Sequence, residues 1–415
     1  MLTNNQSNLL PKHNLFTCFF KQKNNTSVLK LLFISLLLSL LVGSASAGFL
    51  ISLDWVTDYR EEHLWIILFL PIAGFSVSWV YLRYGKNVEQ GNNLLIDTIH
   101  DGGERIPFRM APLIYIGTIL THLFGGSAGR EGTALQMAGA IADQFSKPFR
   151  LSKEDRSTLL LSAIAGGFGA VFGTPLAGMV FALEFNHLGK LNYRAIFPVL
   201  MTAVLSDQVC KLWNAEHTAY YIDIVPKLTF AGIAYSLLAG IIFGLCATVF
   251  IRFMHEASKL WKRYIVFSPL RALLAGLFVV SGVYLLGTTK YIGLGIPMIE
   301  LSFEQQQLPY DFALKLLFTV VTLSAGFKGG EVTPLFFIGA TLGNALSLFI
   351  PLQMGLLAGM GFVAVFAGAT NTPIACTLMA IELFGADSAV YVAIACVVSY
   401  IFSGKLSIYT SQRMT

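Results

Sequence analysis

Long segments of this 415-residue chain carry no charged residue, and such segments must be buried in protein or in lipid. Residues 31–53 form the first of them. A helix of about 20 apolar residues is long enough to cross a hydrocarbon core of about 30 Å. Further charge-free windows of similar length follow at 63–82, 110–129, 157–183, 228–251, 272–289 and 388–404. Together they predict an all-α, polytopic membrane protein.

Three other charge-free windows do not fit a simple transmembrane helix. Residues 195–206 and 316–327 are too short to cross a bilayer, and residues 332–381 are too many for one helix and are interrupted by prolines. These lengths predict short and broken helices that end inside the membrane. Irregular backbone persists at that depth only where it is buried in protein or lines a polar cavity. The pattern therefore favours a transporter or a channel.

Composition excludes the common soluble classes. Hydrophobic residues make up 55% of the chain and charged residues 12%, whereas soluble domains carry roughly 25% charged residues. A soluble enzyme and a disordered chain are therefore excluded. The formal net charge of +5 is also too small for a protein that binds nucleic acid.

The cysteines are too widely spaced to form a metal site or a disulfide framework. The chain has no CxxC pair, no matching histidine cluster and none of the HExxH, GxSxG or GK[ST] signatures. We therefore expect no metal ion, no cofactor and no enzymatic activity. The residues expected to serve as small apolar packing groups are Cys18, Cys210, Cys246, Cys376 and Cys396.

The N-terminal segment, residues 1–30, is basic, and the first acidic residue of the chain is Asp54. Positive charge before the first crossing predicts a cytoplasmic N-terminus. Ala45-Ser46-Ala47 resembles a signal-peptidase site, so removal of the first segment stays open as an alternative. We expect a membrane domain over 31–405 and a tail over 406–415, with no soluble regulatory domain.

The chain also repeats itself. Residues 129–140 and 329–340 share the pattern G-x-E-x-T-x-L-x3-G-A, and residues 174–184 and 372–382 share T-P-x-A-x4-A-x-E. The two motifs recur in the same order and at nearly the same separation. This predicts two homologous halves, at about 60–210 and 265–405. Repeated halves with broken helices place a transport site near the membrane midplane, where the halves meet.

The first motif has the chemistry of an anion site. Glu131 and Glu331 each lie among small residues just before an apolar helix. The first N–H groups of a helix have no partner in the helix, carry the positive end of its dipole and bind anions. A glutamate at the same place competes with the anion. One copy alone could be an ordinary helix cap, but an ionisable residue in the membrane in both halves favours a function.

Other polar residues receive a structural interpretation. Glu184 and Glu382 of the second motif are expected to end a tightly packed helix at the membrane interface. Lys328 and the histidines near segment ends are also expected to be interfacial. The phenylalanines are expected to face lipid or the core.

The motifs resemble those of the CLC family of chloride channels and proton-coupled anion exchangers. Residues 129–133 (GREGT) are similar to the family's GREGP segment, with Thr133 in place of proline. Residues 330–334 stand where the family has GxFxP, and residues 91–95 where it has GSGIP. The resemblance covers about residues 30–412. It implies a CLC-like fold of two inverted halves and a homodimer with one pathway in each subunit.

Three departures from the usual family pattern narrow the resemblance. Asn92 replaces the serine that helps to bind chloride, and Glu331 replaces an apolar residue. Residues 184–186 (EFN) lack the second of two adjacent glutamates, which carries protons in chloride/proton exchangers. This combination is similar to the fluoride-transporting branch. The resemblance implies a fluoride exporter driven by inward proton flow. The short loops and the expected absence of a soluble domain favour a bacterial plasma membrane.

The resemblance also implies roles for individual residues. Glu131 would be the gating and proton-coupling glutamate, which alternates with the anion at one site, and Glu331 would line the central region beside it. Burial and a nearby anion both favour protonation of a carboxylate. The residues expected to bind the anion are Asn92, Gly129, Arg130, Gly132, Val332, Thr333 and Tyr409.

Three alternatives are open at this point. The nearest is a chloride-selective exchanger or a passive anion channel with the same fold, which Asn92 and Glu331 disfavour. An intramembrane enzyme that uses Glu131 and Glu331 as a carboxylate pair lacks a recognisable nucleophile or metal site. A purely structural membrane protein would have no use for twinned buried glutamates.

Overall fold

A computed structural model of the protein describes residues 25–188 and 195–414, with the backbone alone at residues 25–28, 186–188 and 414. Most of the basic segment 1–30, and Cys18, lie outside the described residues. The first eight described helices are α1 (Asn25–Glu62), α2 (Leu70–Tyr84), α3 (Asn92–Asp101), α4 (Met110–Leu123), α5 (Glu131–Ala142), α6 (Lys153–Phe172), α7 (Pro175–Asn186) and α8 (Ile196–Leu212).

Eight more described helices follow in a similar order of lengths. They are α9 (Phe230–Tyr264), α10 (Ser268–Leu286), α11 (Ile296–Glu304), α12 (Asp311–Ser324), α13 (Val332–Leu346), α14 (Met354–Thr370), α15 (Pro373–Phe384) and α16 (Ala389–Ser403). Each set begins with its longest helix, α1 or α9, and has its shortest helix third, α3 or α11.

Almost all of the regular secondary structure in the described chain is α-helical. Two-residue strands β1 (His187–Leu188) and β2 (Arg413–Met414) pair in parallel. Three short 3₁₀ turns cover Leu64–Phe69, Asp143–Phe145 and Ala386–Ser388. The expected all-α fold is therefore confirmed.

Helices of two length classes are present, as expected for a polytopic protein with broken helices. Those long and apolar enough to cross a membrane are Leu29–Glu62, Leu64–Tyr84, Phe230–Tyr264, Ser268–Leu286 and Ala386–Ser403. Shorter apolar helices of 10–17 residues are Met110–Leu123, Pro175–Phe185, Val332–Leu346, Met354–Thr370 and Pro373–Phe384. The long charge-free window 332–381 is thus divided among α13, α14 and α15.

The same local signals break the chain at equivalent places in the two halves. Gly173, with φ 71°, follows the last residue of α6, and Asn371, with φ 59°, follows the last residue of α14. Both values lie in the left-handed region that glycine, and less often asparagine, adopts at a helix end. A Thr-Pro pair follows each, and Pro175 and Pro373 begin the next helix, where a missing N–H costs little.

The two halves contact each other through reciprocal hydrogen bonds at the starts of α7 and α15. The Glu382 carboxylate accepts from the backbone N–H groups of Leu176 (3.0 Å) and Ala177 (2.8 Å). Glu184 accepts in the same way from the N–H groups of residues 374 (3.2 Å) and 375 (2.9 Å). Each glutamate therefore caps the start of a helix in the other half, instead of only ending its own helix. Such exchange of equivalent contacts is what a two-fold relation between the halves produces.

We expect Glu382→Ala to lower the midpoint of thermal unfolding in detergent by a few degrees. Loss of a helix cap costs about 1 kcal/mol, and the unpaired N–H groups of Leu176 and Ala177 are partly withdrawn from water. Glu184→Ala should have a similar effect because its contacts are equivalent. Glu256→Ala is the matched control, since among the described residues Glu256 forms an ion pair only with Lys259, and both are exposed. An unchanged midpoint in both cap variants would contradict a stabilising role.

An aromatic cluster joins the halves in the core. Phe336 of α13 stacks on Phe362 of α14 with ring centroids 4.0 Å apart, and Phe168 of α6 stacks on Phe181 of α7 at 4.5 Å. Phe366 contacts rings of both pairs. Ring pairs at these distances contribute about 0.5–1.5 kcal/mol beyond the area that they bury. The cluster fixes the start of α13 relative to α6.

Candidate functional site

The two copies of the first motif meet through their backbones. The Gly129 N–H donates to the Gly330 carbonyl at 2.6 Å, and the Gly330 N–H donates to the Gly129 carbonyl at 2.7 Å. A Cβ on Gly129 would lie 2.9 Å from Glu131 Oε2, and a Cβ on Gly330 would lie 2.7 Å from the Gly132 nitrogen. Only glycine allows this approach. We call this pair of hydrogen bonds the glycine bridge. Helices α5 and α13 both begin immediately after it.

Glu131 occupies the start of the helix from the other half. Its side chain is buried, and Oε2 accepts hydrogen bonds from the N–H groups of Arg130 and Thr333, both at 3.1 Å. Oε1 accepts from the Thr333 hydroxyl at 2.5 Å. The carboxylate therefore fills the position at the N-terminus of α13 that an anion would take. An anion could bind there only if this carboxylate moved away.

A narrow cavity lies against Glu131 on one side. Its volume is about 20 Å³, and Arg130, Thr333, Tyr220 and Phe336 contribute to its wall. A water molecule needs about 10–15 Å³ measured in this way, so the space admits one species of that size. The Arg130 Nε lies 3.7 Å from Glu131 Oε1 and has no hydrogen-bond partner among the described residues. It can therefore pair with an anion that replaces the carboxylate.

A second cavity of about 150 Å³ lies where α3 and α13 begin, and Asn92, Gln136, Glu331 and Tyr409 contribute to its wall. A Cβ built on Gly132 would lie 3.1 Å from Asn92 Nδ2 and 3.8 Å from Glu331 Oε2. The amide and the carboxylate thus flank the same glycine. The cavity has both hydrogen-bond donors and an ionisable acid.

Tyr409 lies at this cavity because the C-terminal segment folds back over α3. The Ser411 N–H donates to Asn93 Oδ1 at 3.0 Å, and the Ile408 N–H donates to the Ala369 carbonyl at 3.0 Å. The Tyr409 ring packs edge-on against Phe185, with centroids 4.7 Å apart. Its hydroxyl is buried and has no partner among the described residues. This hydroxyl is available to a species in the cavity.

The sequence-predicted site residues are thus collected around the glycine bridge. Val332, the first residue of α13, is fully buried beside the Thr333 N–H that Glu131 engages. Thr133 stands apart from them, because its hydroxyl exchanges a hydrogen bond of 2.7 Å with Thr118 of α4. The residue in place of the family's proline therefore anchors α5 to α4.

Sequence reasoning missed several residues of the cavity walls. Gln136, Tyr220 and Phe336 line cavities, although no motif pointed to them. Lys328, which was expected at the membrane interface, lines the second cavity. His122 was expected near the interface and is fully buried. The signal for Lys328 was its position next to the motif, in a stretch otherwise free of charge.

The second cavity continues into a wider vestibule. This vestibule has a volume of about 700 Å³ and shares part of its wall with the second cavity, including Tyr81, Glu89 and Lys328. Its wider part is lined by Lys86 and Lys262. The two spaces therefore adjoin at these residues, and polar side chains line both of them up to the start of α13.

This arrangement defines a class of protein. Two homologous halves of broken helices that begin at a shared, ion-sized polar site are the architecture of an inverted-repeat membrane transport protein. The family model described as voltage gated chloride channel matches residues 73–404, and the chain belongs to this family, the CLC family. The resemblance predicted from the motifs is confirmed.

Similar proteins place the chain more closely within the family. It is 51% identical over 384 residues to the chloride/fluoride channel protein of Pseudomonas syringae pv. tomato, covering 91% of this chain and 85% of the relative. It is 26% identical over 404 residues to the H(+)/Cl(-) exchange transporter ClcA of Vibrio cholerae serotype O1, covering 90% and 85%.

A solved structure of a CLC-type fluoride/proton antiporter superposes with a TM-score of 0.92 at 35% sequence identity, covering 95% of this chain and 100% of that chain. A slow cyanobacterial Cl⁻/H⁺ antiporter superposes with a TM-score of 0.81 at 19% identity, which shows a shared fold. The family consists of ion channels and antiporters. The protein is therefore an integral, multi-pass membrane protein of CLC-family anion transport.

Proposed function

We propose that the protein is a fluoride/proton antiporter that exports fluoride, with Glu131 as the gating and proton-coupling residue. The observation that carries this proposal is the position of the Glu131 carboxylate, which occupies the start of α13 through the Thr333 N–H and hydroxyl. An anion and this carboxylate need the same donors. Similarity to a chloride/fluoride channel protein and to a fluoride/proton antiporter supports the choice of ions.

Coupling follows from competition for one site. Ionised Glu131 repels a fluoride ion and holds the Thr333 donors itself. Protonation removes the negative charge and weakens the hold of those donors, so fluoride can take the place of the carboxylate. Release of fluoride then requires that the carboxylate return and give up its proton. The proton and the anion move in opposite directions when the proton reaches Glu131 from outside and leaves inward, while fluoride enters from inside and leaves outward.

Selectivity for fluoride is proposed to come from several short donors around a small polar space. Asn92 offers an amide N–H₂ and Tyr409 an unpartnered hydroxyl. Glu331 adds a further donor when it is protonated and repels anions when it is ionised. Fluoride is small and strongly hydrated, so it gains most when its water is replaced by such donors at close range.

The second candidate is a chloride-selective exchanger or an anion channel on the same fold. Similarity to the Vibrio cholerae H(+)/Cl(-) exchange transporter favours it at 26% identity. Asn92 and Glu331 stand against it, because they replace a small hydroxyl and an apolar group with an amide and an acid.

The test is efflux from liposomes that contain the purified protein and are loaded with fluoride or chloride, with external pH recorded. Fluoride efflux with matched proton uptake and little chloride efflux would support the antiporter. Chloride efflux at a comparable rate would favour the second candidate. Fluoride efflux without proton movement would leave a channel, in which Glu131 is a gate alone.

We expect Asn92→Ser to relax discrimination against chloride. Serine is shorter than asparagine, so it widens the cavity next to Gly132 and replaces an amide donor with a hydroxyl. The ratio of fluoride to chloride efflux should fall about tenfold, which corresponds to about 1.4 kcal/mol. Asn87→Ser is the matched control, because Asn87 is exposed and lines neither cavity. An unchanged ratio in the Asn92 variant would remove this residue from selectivity.

We further propose that the vestibule opens to the cytoplasm of a bacterial cell, on the side where the N-terminus lies. Helix α1 and the segment Leu64–Tyr84 are consecutive crossings, so Lys86, which follows α2, lies on the side where α1 begins. Lys262 also lines the vestibule there. An excess of lysine and arginine marks the cytoplasmic side. Inverted vesicles turn the cytoplasmic side outward, so an N-terminal tag should be cleaved by protease added to sealed inverted vesicles. Protection of the tag would contradict this orientation.

A homodimer with one pathway in each subunit is also proposed from the family resemblance. In that family arrangement each subunit would hold its own copy of Glu131 and of both cavities. Mixed dimers with one inactive subunit should then retain half of the transport rate.

A further inference from the structure

Lys328 lies where the vestibule adjoins the second cavity, a position that we call the neck. It follows α12 and precedes the glycine bridge, and it lines both spaces. The residues that also line both spaces are Tyr81, Glu89, Gln90, Asn93 and Phe327. Any ion that moves from the vestibule to Asn92 and Glu331 by this route passes Lys328.

The positive charge of Lys328 has no anionic partner at contact distance. No carboxylate in the described part of the chain forms an ion pair with it. Glu89 and Arg271 of the vestibule wall act on it only at longer range and with opposite signs. By contrast, Arg156 pairs with Asp143 at 2.7 Å. A charged side chain within a membrane protein is costly unless something compensates it.

The side chain is nevertheless held in one place. Its Nζ lies 3.9 Å from the centroid of the Tyr81 ring, a cation–π contact. Its stem packs on α4, where a Cβ added to Gly117 would lie 2.9 Å from Lys328 Cγ. The face of an aromatic ring carries only partial negative charge, so it holds an ammonium group less strongly than a full anion at hydrogen-bond distance does. The ammonium is therefore positioned and still able to pair with an anion.

We propose that Lys328 forms a loading site for a small inorganic anion at this neck, from which the anion enters the second cavity. The site combines a fixed ammonium with a polar wall on the cavity side. Because the Tyr81 ring is a weak partner for the Lys328 ammonium, the ammonium remains free to bind an anion and then to release it inward. A carboxylate in a salt bridge with Lys328 would compete with the anion. The inference rests on anion transport by the protein and holds for fluoride or chloride.

The test is the dependence of transport rate on anion concentration for Lys328→Met, measured with the anion supplied on the vestibule side. We expect the half-saturating fluoride concentration to rise about tenfold, because attraction at this range in a partly buried site is lost. The maximal rate and the number of protons moved per anion should change much less. Lys328→Arg should restore most of the affinity because it keeps the charge.

Two controls separate loading from packing. Lys86→Met removes an exposed lysine from the same vestibule, and it should change the half-saturating concentration by less than twofold. Anion supplied on the opposite side should show no change with Lys328→Met. An unaltered half-saturating concentration in Lys328→Met, or an equal defect in Lys328→Arg, would overturn the proposal. If the protein carries chloride instead of fluoride, the same measurements with chloride decide the role of Lys328 separately from the choice of ion.

Discussion

Replacement of Glu131 with glutamine is expected to abolish proton movement while fluoride still passes. Glutamine has the shape of protonated glutamate but cannot ionise, so it cannot carry a proton through a cycle. Its amide also cannot accept from Thr333 as strongly as a carboxylate does. The start of α13 should then be open to the anion at all times. Simultaneous recording of fluoride efflux and external pH in liposomes measures both.

The matched control is Glu256→Gln, because Glu256 is exposed and forms a surface ion pair with Lys259. It should keep the coupling of the unmodified protein. In Glu131→Gln the fluoride gradient should decay with proton flux at the level of protein-free liposomes. Proton movement that persists with fluoride in this variant would show that another group is the coupling residue. Loss of both fluxes would show that the carboxylate is needed for anion passage itself.

Replacement of Glu331 with alanine is expected to slow turnover by more than tenfold without a matching loss of stability. Glu331 and Asn92 Nδ2 flank Gly132 at the second cavity, so alanine removes the acid from the anion's path and leaves apolar surface there. A loss of about 1.4 kcal/mol of stabilisation along the path already slows transport tenfold. Turnover per folded molecule in liposomes measures the effect.

Two further variants define the role of Glu331. Glu331→Gln should recover part of the lost rate, because its amide donates a hydrogen bond as protonated glutamate does. Glu184→Ala should show the opposite profile, with a lower unfolding midpoint and turnover close to normal, since Glu184 caps α15 and lines neither cavity. If Glu184→Ala were the slower variant, the assignment of the two repeated glutamates would be wrong.

Charge-free windows predicted most crossings but not the ends of helices that contain buried charges. The window 316–327 was too short to span, whereas α12 begins at Asp311. Asp311 accepts a hydrogen bond from the Tyr291 hydroxyl at 2.5 Å, and Lys315 donates to the Gly293 carbonyl at 2.8 Å. Charged residues with such partners can lie inside a helix bundle. Their partners come from a distant loop, which a single window does not contain.

Repetition predicted the centre of the site, because homologous motifs in two halves point to the place where the halves meet. The sequence did not predict the cavity walls. Gln136 and Tyr220 belong to no repeated pattern and become neighbours of Glu131 and Asn92 only when the helices pack. The reciprocal capping by Glu184 and Glu382 was missed for the same reason. A motif shows what each half contains, while the contacts depend on how the halves are oriented.

These reciprocal contacts bear on how such a chain could arise. The Glu382 carboxylate accepts from the Ala177 N–H at the start of α7, and the Glu184 carboxylate accepts from the Ala375 N–H at the start of α15. Gly129 and Gly330 exchange backbone hydrogen bonds. One half therefore has the donors and acceptors needed to dock with a copy of itself in the opposite orientation. A shorter ancestral chain that entered the membrane in both directions could have formed this joint as a dimer. Gene duplication and fusion would then only have had to fix each copy in one orientation, after which Glu131 and Glu331 were free to diverge.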